Sequence, residues 1–522
     1  MPVLEWIGKE KVVNHANEVP FHVLERSYSY GVKGKTTEDN GSENKIIHGD
    51  NLLALKSLLP EYEGRVKCIY IDPPYNTGNE NWVYNDNVND PRIKKWLGEV
   101  VGKEGEDLSR HDKWLCMMYP RLKLLRRLLA DDGIIWISIG DDELANLMQI
   151  VSEVFGKLGA IFVWKSRTKP TNAGNAKYRP QKVSEYVLMY TKDKDKLFNI
   201  GNKDSNYSYP NEDEYGSYRT STILTSNRGT YKRETMRFAI ADYTPPPEKR
   251  WKAGEDKIRE LLDNHRLLLS GDGDPMEKIY DYDEDKILTP LYTILDTSIS
   301  GTAETGKTLL NKIIGAGHGF DTVKPVELLE YLIRISTQGN DIILDSFAGT
   351  STTAHAVLNL NKADGGNRKF ILVEMMDYAD SITAERVKRV IDGYGEGKKK
   401  TEGTGGDFSF YEVGEPLFAD GALNEDVDEE KIRAYIWYTE THTPYQKPTK
   451  GNASFLGCED DTAYYFHYAK GETTTLDAAF LRSIKTKAER YVIYADVCVL
   501  SPEMMEKRNI EFKKIPRDIK KI

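Results

Sequence analysis

A doubly wound α/β fold, with a mixed but mostly parallel sheet, is predicted by three observations in this chain of 522 residues. Short apolar runs alternate with segments of helical spacing. Two of those runs stop at loops of Pro, Gly and small polar residues, the place where open α/β sheets hold ligands. The rhythm weakens in the middle and then resumes, as it would if one sheet were interrupted by an insertion. At roughly 100 to 200 residues per domain the chain holds about three. The expected division is an N-terminal arm over 1–45, one half of the sheet over 46–195, an inserted region over 196–315, the second half over 316–400, and a small C-terminal α/β domain over 401–522.

Ile46 and Ile47 lead into Gly49, Asp50 and Asn51, after which Leu52, Leu55, Leu58 and Leu59 recur at helical spacing: strand, turn, helix. Val66 to Ile71 is a buried strand stopped by Asp72, Pro73 and Pro74, which cannot continue a ladder. Trp114, Met118, Leu122, Leu125 and Leu129 trace a helical face interrupted by Pro120, and Asp131 to Gly133 break into the strand Ile134 to Ile139. Asp141 or Asp142 is the expected cap of the next helix, and Ile161 to Trp164 and Tyr186 to Tyr190 are further strands.

From about Asp193 to Ala316 tyrosines, Asn, Asp and Gly dominate, which predicts a region of surface and loops more than core. Pro325 then opens a helix with Leu328, Leu329, Leu332 and Ile333 on one face, followed by strand Ile342 to Leu344, helix Thr352 to Leu360 and strand Phe370 to Val373. Gly393 to Gly406 reads as a linker, and strand, helix, strand patterns follow at Ala463 to Tyr468, Leu476 to Ile484 and Tyr491 to Leu500.

Lys and Arg number 72 against 82 Asp and Glu, a net charge of −10, so this is not a general polyanion binder and any nucleic-acid contact must be local. Four scattered cysteines without a CxxC pair argue against a disulfide framework or a cysteine-rich zinc site and fit a reducing cytoplasm. Nine histidines show no ligand-like spacing, so no catalytic metal is expected. The start lacks a leader pattern, and no apolar run approaches the ~20 residues of a membrane span.

The loop Asp72-Pro73-Pro74-Tyr75-Asn76 carries a carboxylate, a stiff backbone and an aromatic ring past the end of a strand. That set suits a planar group bearing an amine: Asp72 and the Pro73 carbonyl would accept its two N–H bonds while Tyr75 stacks on its face, as in a flipped purine. The plain alternative is a proline turn with Asp72 as a cap. The second loop, Asp345 to Thr352, again follows an apolar strand and precedes a helix, and its small residues allow close backbone approach. Glu374 ends the next strand at an offset from Gly349 near the ~20 residues usual for a ribose-binding acid, which implies a nucleoside-like cofactor.

Taken together, DPPY followed far downstream by an FxGxG-like loop resembles the DNA amino-methyltransferases in which the catalytic motif precedes the cofactor motif. The likeness is greatest to the modification subunits of type III restriction-modification systems, through Gly49-Asp50-Asn51-Leu52, Ile71 to Gly78, Lys324-Pro325 and the Phe347 loop. The resemblance implies a Rossmann-like, S-adenosylmethionine-dependent fold with an inserted target-recognition region. It implies catalytic roles for Asp72, Pro73, Pro74 and Tyr75, and cofactor contacts from Asp345, Phe347, Ala348, Gly349, Thr350 and Glu374, with Asp50, Lys324 and Pro325 as neighbours of that pocket. Thr350 is read here as standing in for the last glycine of FxGxG. The implied activity is site-specific adenine N6 methylation of double-stranded DNA, with a separate helicase-nuclease restriction subunit and a homodimer as the partners that such subunits suggest. Cytosine N4 methylation uses the same loop geometry and stays open, as does a non-catalytic DNA-specificity protein.

Two basic clusters are candidates for DNA phosphates: Lys165, Arg167, Lys169, Lys177 and Arg179 after the strand Ile161 to Trp164, and Arg228, Lys232, Arg233 and Arg237 with Tyr231 and Phe238. Solvated faces are the bland reading of both. Finally, Gly301 to Thr308 fits the phosphate-loop pattern GxxxxGK[ST], so a nucleotide hydrolase is a rival, although the preceding Asp296 to Ser300 is polar for a buried strand.

Overall fold

The computed structural model describes residues 3–77, 110–156, 158–169, 180–192, 208–229, 232–269, 273–284, 291–397, 400–419, 421–449 and 451–516, with residues 95, 98 and 198. It divides into two compact units, Met1–Asn199 with Tyr292–Ile522, and Ile200–Leu291.

The first unit is built on one sheet of eleven strands among the described residues. In chain order they are β1 (His22–Gly31), β2 (Gly34–Thr36), β3 (Lys45–His48), β4 (Val66–Ile71), β5 (Leu129–Ile139), β6 (Leu158–Trp164), β7 (Glu185–Thr191), β8 (Ile294–Leu295), β9 (Ile342–Asp345), β10 (Lys369–Glu374) and β11 (Phe408–Pro416). Across the sheet they run β8-β6-β7-β5-β4-β9-β10-β3-β11-β1-β2. From β5 through β11 every neighbouring pair is parallel, while β7 lies antiparallel to both β5 and β6, and β1 antiparallel to β11 and β2. The mixed, mostly parallel sheet is therefore the predicted one. Strands covered on both faces must be apolar throughout, and Val66, Cys68, Ile69, Ile71, Ile134, Ile135, Ile343, Leu344, Phe370 and Ile371 are all fully buried.

The chain leaves β4 toward β5 on one side and leaves β9 toward β10 on the other. Between β4 and β9 the winding direction reverses, and at such a switch point the connections diverge and leave a crevice. Sequence order conceals this, since β4 and β9 are far apart in the chain but paired Ile343 to Cys68 and Leu344 to Ile69.

Several boundaries differ from those expected. The stretch expected as an N-terminal arm buries Trp6, Val12, Ala16 and Val19 in the main core and contributes β1. Residues 292–315, expected within the insertion, belong to the first unit: β8 pairs with Val163 and Trp164, and the Ala303 N–H donates to the Ser166 carbonyl at 3.0 Å. Residues beyond 401 begin with β11 of the main sheet, then form a four-stranded sheet of Phe455–Glu459, Thr462–Phe466, Arg490–Ala495 and Ile510–Lys514. The segment read as a linker holds a short strand pair, Gly393–Tyr394 with Thr401–Glu402. Helix Arg110–Leu128 runs unbroken through Pro120, and the helix after β5 starts at Leu144 with Glu143, not Asp141 or Asp142, at its N-cap.

The second unit has a core after all: Ile223, Leu224, Ile240, Trp251, Ile258, Leu261 and Leu267 cluster, with the Trp251 indole donating to the Phe238 carbonyl at 2.9 Å. Aromatic and aliphatic residues spaced irregularly between turns gave no period to read.

Candidate active site

Because β4 and β9 are neighbours, the loops that follow them emerge side by side. The first is held from several directions. The indole N–H of fully buried Trp114 donates to the Pro74 carbonyl at 2.7 Å. Asn76, left-handed at φ 57°, donates through Nδ2 to the Arg110 carbonyl at 3.2 Å and to the buried carboxylate of Glu143. Glu143 also meets His111 Nδ1 at 2.6 Å and accepts from Asn146 Nδ2 at 2.8 Å. Gly140, just past β5, lets the Tyr75 ring approach: a Cβ there would lie 3.0 Å from Tyr75 Cδ2.

The second loop is fixed as firmly. Asp345 accepts the Phe347 N–H at 3.0 Å and the Thr353 hydroxyl at 2.5 Å. Glu374 accepts the N–H of Gly349 at 2.7 Å and of Met376 at 3.0 Å, while the Thr383 hydroxyl donates to the Gly349 carbonyl at 2.6 Å. Asn51 Nδ2 donates to the Ser346 carbonyl at 3.3 Å. Fully buried Arg386 donates to the Thr350 carbonyl and hydroxyl, both at 3.0 Å, and to the Thr352 hydroxyl at 2.9 Å. Side chains locked in this way hold a site in shape before any ligand arrives.

A cavity of about 300 Å³ lies between the loops. Asp72, Pro73 and Tyr75 line it on one side, Asp345, Phe347, Ala348, Gly349 and Thr350 on the other, with Lys324, Glu185 and Arg167 completing the charged wall. Lys324 Nζ donates to Asp72 Oδ1 at 2.9 Å and Oδ2 at 2.8 Å and stands 3.7 Å from Glu185 Oε2. The same oxygen of Glu185 accepts the Tyr75 hydroxyl at 2.9 Å. The Lys324 ammonium also sits 5.0 Å from the centre of the Tyr75 ring and 5.6 Å from that of Trp164, within cation–π range.

Burial governs the protonation of the enclosed groups. It pushes the carboxyls of Asp345 and Glu374 up to about 7, with hydrogen bonds to each carboxylate opposing. It also holds the Tyr75 phenol well above its ordinary value, reinforced by the negative charges of Glu185 and Asp72, so Tyr75 stays a donor. Arg386 is pushed down to about 10 by the same desolvation.

Four of the expected site residues do not line the cavity. The Pro74 carbonyl is taken by Trp114. Asp50 caps helix Asn51–Tyr62, accepting from Leu52 N at 2.8 Å and Leu53 N at 3.2 Å, with Arg121 Nη2 at 3.5 Å. Pro325 is the N-cap of helix Val326–Ser336. Glu374 has its two oxygens on backbone N–H groups, so it shapes the Gly349 turn from behind. Lys324, expected beside the cofactor loop, places its ammonium on the opposite loop at Asp72. The glycine that FxGxG lacks is also relocated. Counting from Phe347, the position is Ser351, not Thr350, and Ser351 holds the left-handed conformation at φ 58°, ψ 36° that explains why glycine suits it.

Residues 66–385 match the DNA methylase family. The chain belongs to that family. It is 31% identical over 431 residues to the type III restriction-modification enzyme StyLTI Mod subunit of Salmonella typhimurium, a match covering 74% of this chain and 62% of that one. To the EcoPI Mod subunit of Escherichia phage P1 it is 31% identical over 419 residues, covering 71% and 63%. To the type II methyltransferase M.KpnI of Klebsiella pneumoniae it is 30% identical over 397 residues, covering 69% and 89%. The chain thus spans less than two thirds of the length of those two Mod subunits.

The family match encloses both loops, and the geometry leaves no place for the rival phosphate loop. Helix Ala303–Ile314 begins inside the GxxxxGKT pattern, so residues that would wrap a phosphate are already helical, and what precedes them is a helical turn, Thr297–Ser300. Lys307 is paired with Asp321 at 2.9 Å. Both glycines serve packing: a Cβ on Gly306 would meet the Val323 carbonyl at 2.2 Å, and one on Gly301 the Pro325 Cβ at 2.9 Å. They let this helix press against the segment that carries Lys324.

The basic clusters divide. Lys165 and Lys169 are exposed, and Arg167 lines the cavity. Lys177, Arg179 and Tyr231 lie outside the described residues. In the second unit Arg228 and Arg233 are exposed, while Lys232 and Arg237 flank Glu234 at 2.9 and 2.8 Å, and Arg237 also binds the Pro245 carbonyl. Among the described residues no helix is long and apolar enough to cross a membrane. Glu185, Trp114, Trp164 and Arg386 were missed by sequence reasoning, since none sits in a motif, while Asn51 stood in Gly49-Asp50-Asn51-Leu52 without a site role.

Proposed function

We propose that the chain is a site-specific DNA adenine N6-methyltransferase that uses S-adenosylmethionine, working in the cytoplasm as the modification component of a restriction-modification system. The observation that carries this reading is the single cavity bounded by Asp72 and Tyr75 on one loop and by Asp345, Phe347 and Gly349 on the other. Its lining fits the cofactor: small residues for close backbone contact, a ring at Phe347, and the carboxyl of Asp345, 3% exposed, facing a space that a cation would fill. Asp345, Phe347, Ala348, Gly349 and Thr350 would hold it. When bound, S-adenosylmethionine supplies an electrophilic methyl carbon on a sulfonium.

The target amine is hidden in duplex DNA and must be flipped out at a cost of a few kcal/mol, part of which stacking on Tyr75 recovers. An exocyclic amine is a poor nucleophile because its lone pair is delocalised into the ring. Asp72, accepting one N–H, favours a pyramidal nitrogen whose lone pair forms the new N–C bond as the C–S bond breaks. The surplus proton then leaves that nitrogen, and the Asp72 carboxylate is the acceptor placed to take it before release to water. Positioning and fixed charges supply the acceleration, with no covalent enzyme intermediate. Lys165, Arg167 and Lys169, with Arg228 and Arg233, would contact phosphates and orient the duplex. The restriction subunit, a DNA helicase-nuclease, is a proposed partner drawn from the Mod relatives, and a homodimer is proposed on the same ground.

The test is expression of the chain in a host free of DNA methylation, with genome sequencing that detects modified bases and an Asp72→Ala control. A single methylated adenine motif, absent from the control, is the expected result. Modified cytosine N4 would correct the base, and an unmodified genome from a folded chain that binds the cofactor would overturn methylation by this chain alone.

A further inference from the structure

Glu185 opens β7, the strand antiparallel to its neighbours, and stands in no sequence motif, yet one of its oxygens meets two members of the site. Oε2 accepts the Tyr75 hydroxyl at 2.9 Å and lies 3.7 Å from Lys324 Nζ, which is itself 2.8 and 2.9 Å from the two oxygens of Asp72. The side chains of Lys324, Asp72 and Glu185 are 14%, 24% and 21% exposed, so two carboxylates share one ammonium in a partly desolvated pocket. Lys324 rests between them, close on Asp72 and paired with Glu185 just beyond hydrogen-bond distance.

This arrangement poses a conflict for amine methylation. An amine approaching Asp72 must compete for its carboxylate with the Lys324 ammonium, which engages both oxygens. Withdrawing an ammonium from a carboxylate is costly unless a second carboxylate receives it, and Glu185 is within an ångström or so of doing that. We propose that Glu185 is a positioning residue of the methyl-transfer site: its carboxylate fixes the Tyr75 ring through the phenol and takes over the Lys324 ammonium when an amine-bearing base reaches Asp72. No bond to Glu185 forms and no proton is exchanged with it. The phenol stays protonated, as burial and the adjoining charges dictate, and the ammonium changes partner.

The proposal rests on the methylation reading above, and its test separates the two. The full chain carries Glu185→Gln, Glu185→Asp, Tyr75→Phe or the pair Tyr75→Phe with Glu185→Gln. Single-turnover methylation is followed on a duplex bearing the motif found in the host genome, and base flipping by the emission of 2-aminopurine placed at the target adenine. Glutamine keeps an acceptor for the phenol but no charge for Lys324. Glu185→Gln should therefore slow transfer by about tenfold or more, the scale of a misplaced group at a reacting centre, with the KM for DNA and the flipping signal within about twofold of wild type. Glu185→Asp should restore part of the rate, and Tyr75→Phe should change the flipping signal while slowing transfer less. Wild-type rates in Glu185→Gln overturn the proposal, as does a loss confined to KM. A wild-type chain that modifies no base overturns the reading beneath it and this proposal with it.

Discussion

Asp345 is 3% exposed, and burial pushes its carboxyl up to about 7 from an ordinary 3.8. A raised folded-state value means that between those two pH values the native chain binds more protons than the unfolded one. Stability therefore falls as pH rises through that window, by about 1.4 kcal/mol per pH unit for one group. Integrated between pH 5 and 7, the loss attributable to Asp345 is about 2 kcal/mol. Asp345→Asn is nearly isosteric, still accepts the Phe347 N–H, and cannot ionise, so it deletes this slope and leaves the other titrating groups in place. The measurement is urea unfolding, followed by tryptophan emission, of wild type and variant at pH 5 and pH 7 and constant ionic strength. The variant should gain about 2 kcal/mol on wild type between the two pH values. Glu374, also raised to about 7, contributes a slope of the same sign to both proteins and cancels in the difference. Parallel curves, or a difference of the opposite sign, would show that Asp345 is ionised in the empty site and that burial is not the governing effect.

Gly306→Ala should strongly reduce methylation, because its Cβ would meet the Val323 carbonyl and displace the Lys324 segment, whereas Lys307→Ala should leave activity unchanged and cost under about 1 kcal/mol; a phosphate loop would instead lose its activity with Lys307→Ala. Trp114→Phe removes the indole bond to Pro74 and part of a buried ring, so about 2 kcal/mol of stability and a measurable share of the transfer rate should go together. Ser351→Gly exchanges two hydroxyl bonds, to the carbonyls of Thr350 and Thr383, for relief at φ 58°, and should stay within about 1 kcal/mol of wild type in denaturant, while Ser351→Ala loses the bonds, keeps the strain and should fall further.

What the sequence disclosed was local. Asp72-Pro73-Pro74-Tyr75 and Asp345 to Thr352 announce themselves because a strand must end where prolines stand, and because a tight turn needs small residues. That the two loops share one cavity was legible only through the family likeness, since the pairing of β4 with β9 is a tertiary fact. Glu185 was invisible for a related reason: it acts through a strand whose antiparallel direction no periodicity encodes. Lys324 was placed near the site by its motif, but which loop it faces depends on a helix pressed against it through Gly301 and Gly306, and those glycines resembled a different motif. The misassigned glycine has a simpler origin: counting from Phe347 already puts the last position of FxGxG at Ser351, and the left-handed turn there adds why glycine suits it.

Charge bears on how one acidic chain would serve the two ligands of the proposed reading, which are opposite in sign. With a net charge of −10 the protein repels a polyanion at a distance, so the phosphate contacts of the proposed reading must rest on local cations such as Lys165, Lys169, Arg228 and Arg233. Inside the cavity acid prevails as well: Asp72, Glu185 and Asp345 face Lys324 and Arg167, one negative charge in excess once Asp345 ionises. A cation entering beside Asp345 favours that ionisation, so its binding should tighten as pH climbs toward 7 and release a proton. The cost that burial of Asp345 imposes on the empty fold is thus the energy a cationic cofactor can relieve, and Asp345→Asn should flatten the pH dependence of cofactor affinity while it flattens that of stability. One carboxyl would then account for two slopes of opposite sign, a coupling that calorimetry of S-adenosylmethionine binding at pH 5 and 7 can test directly.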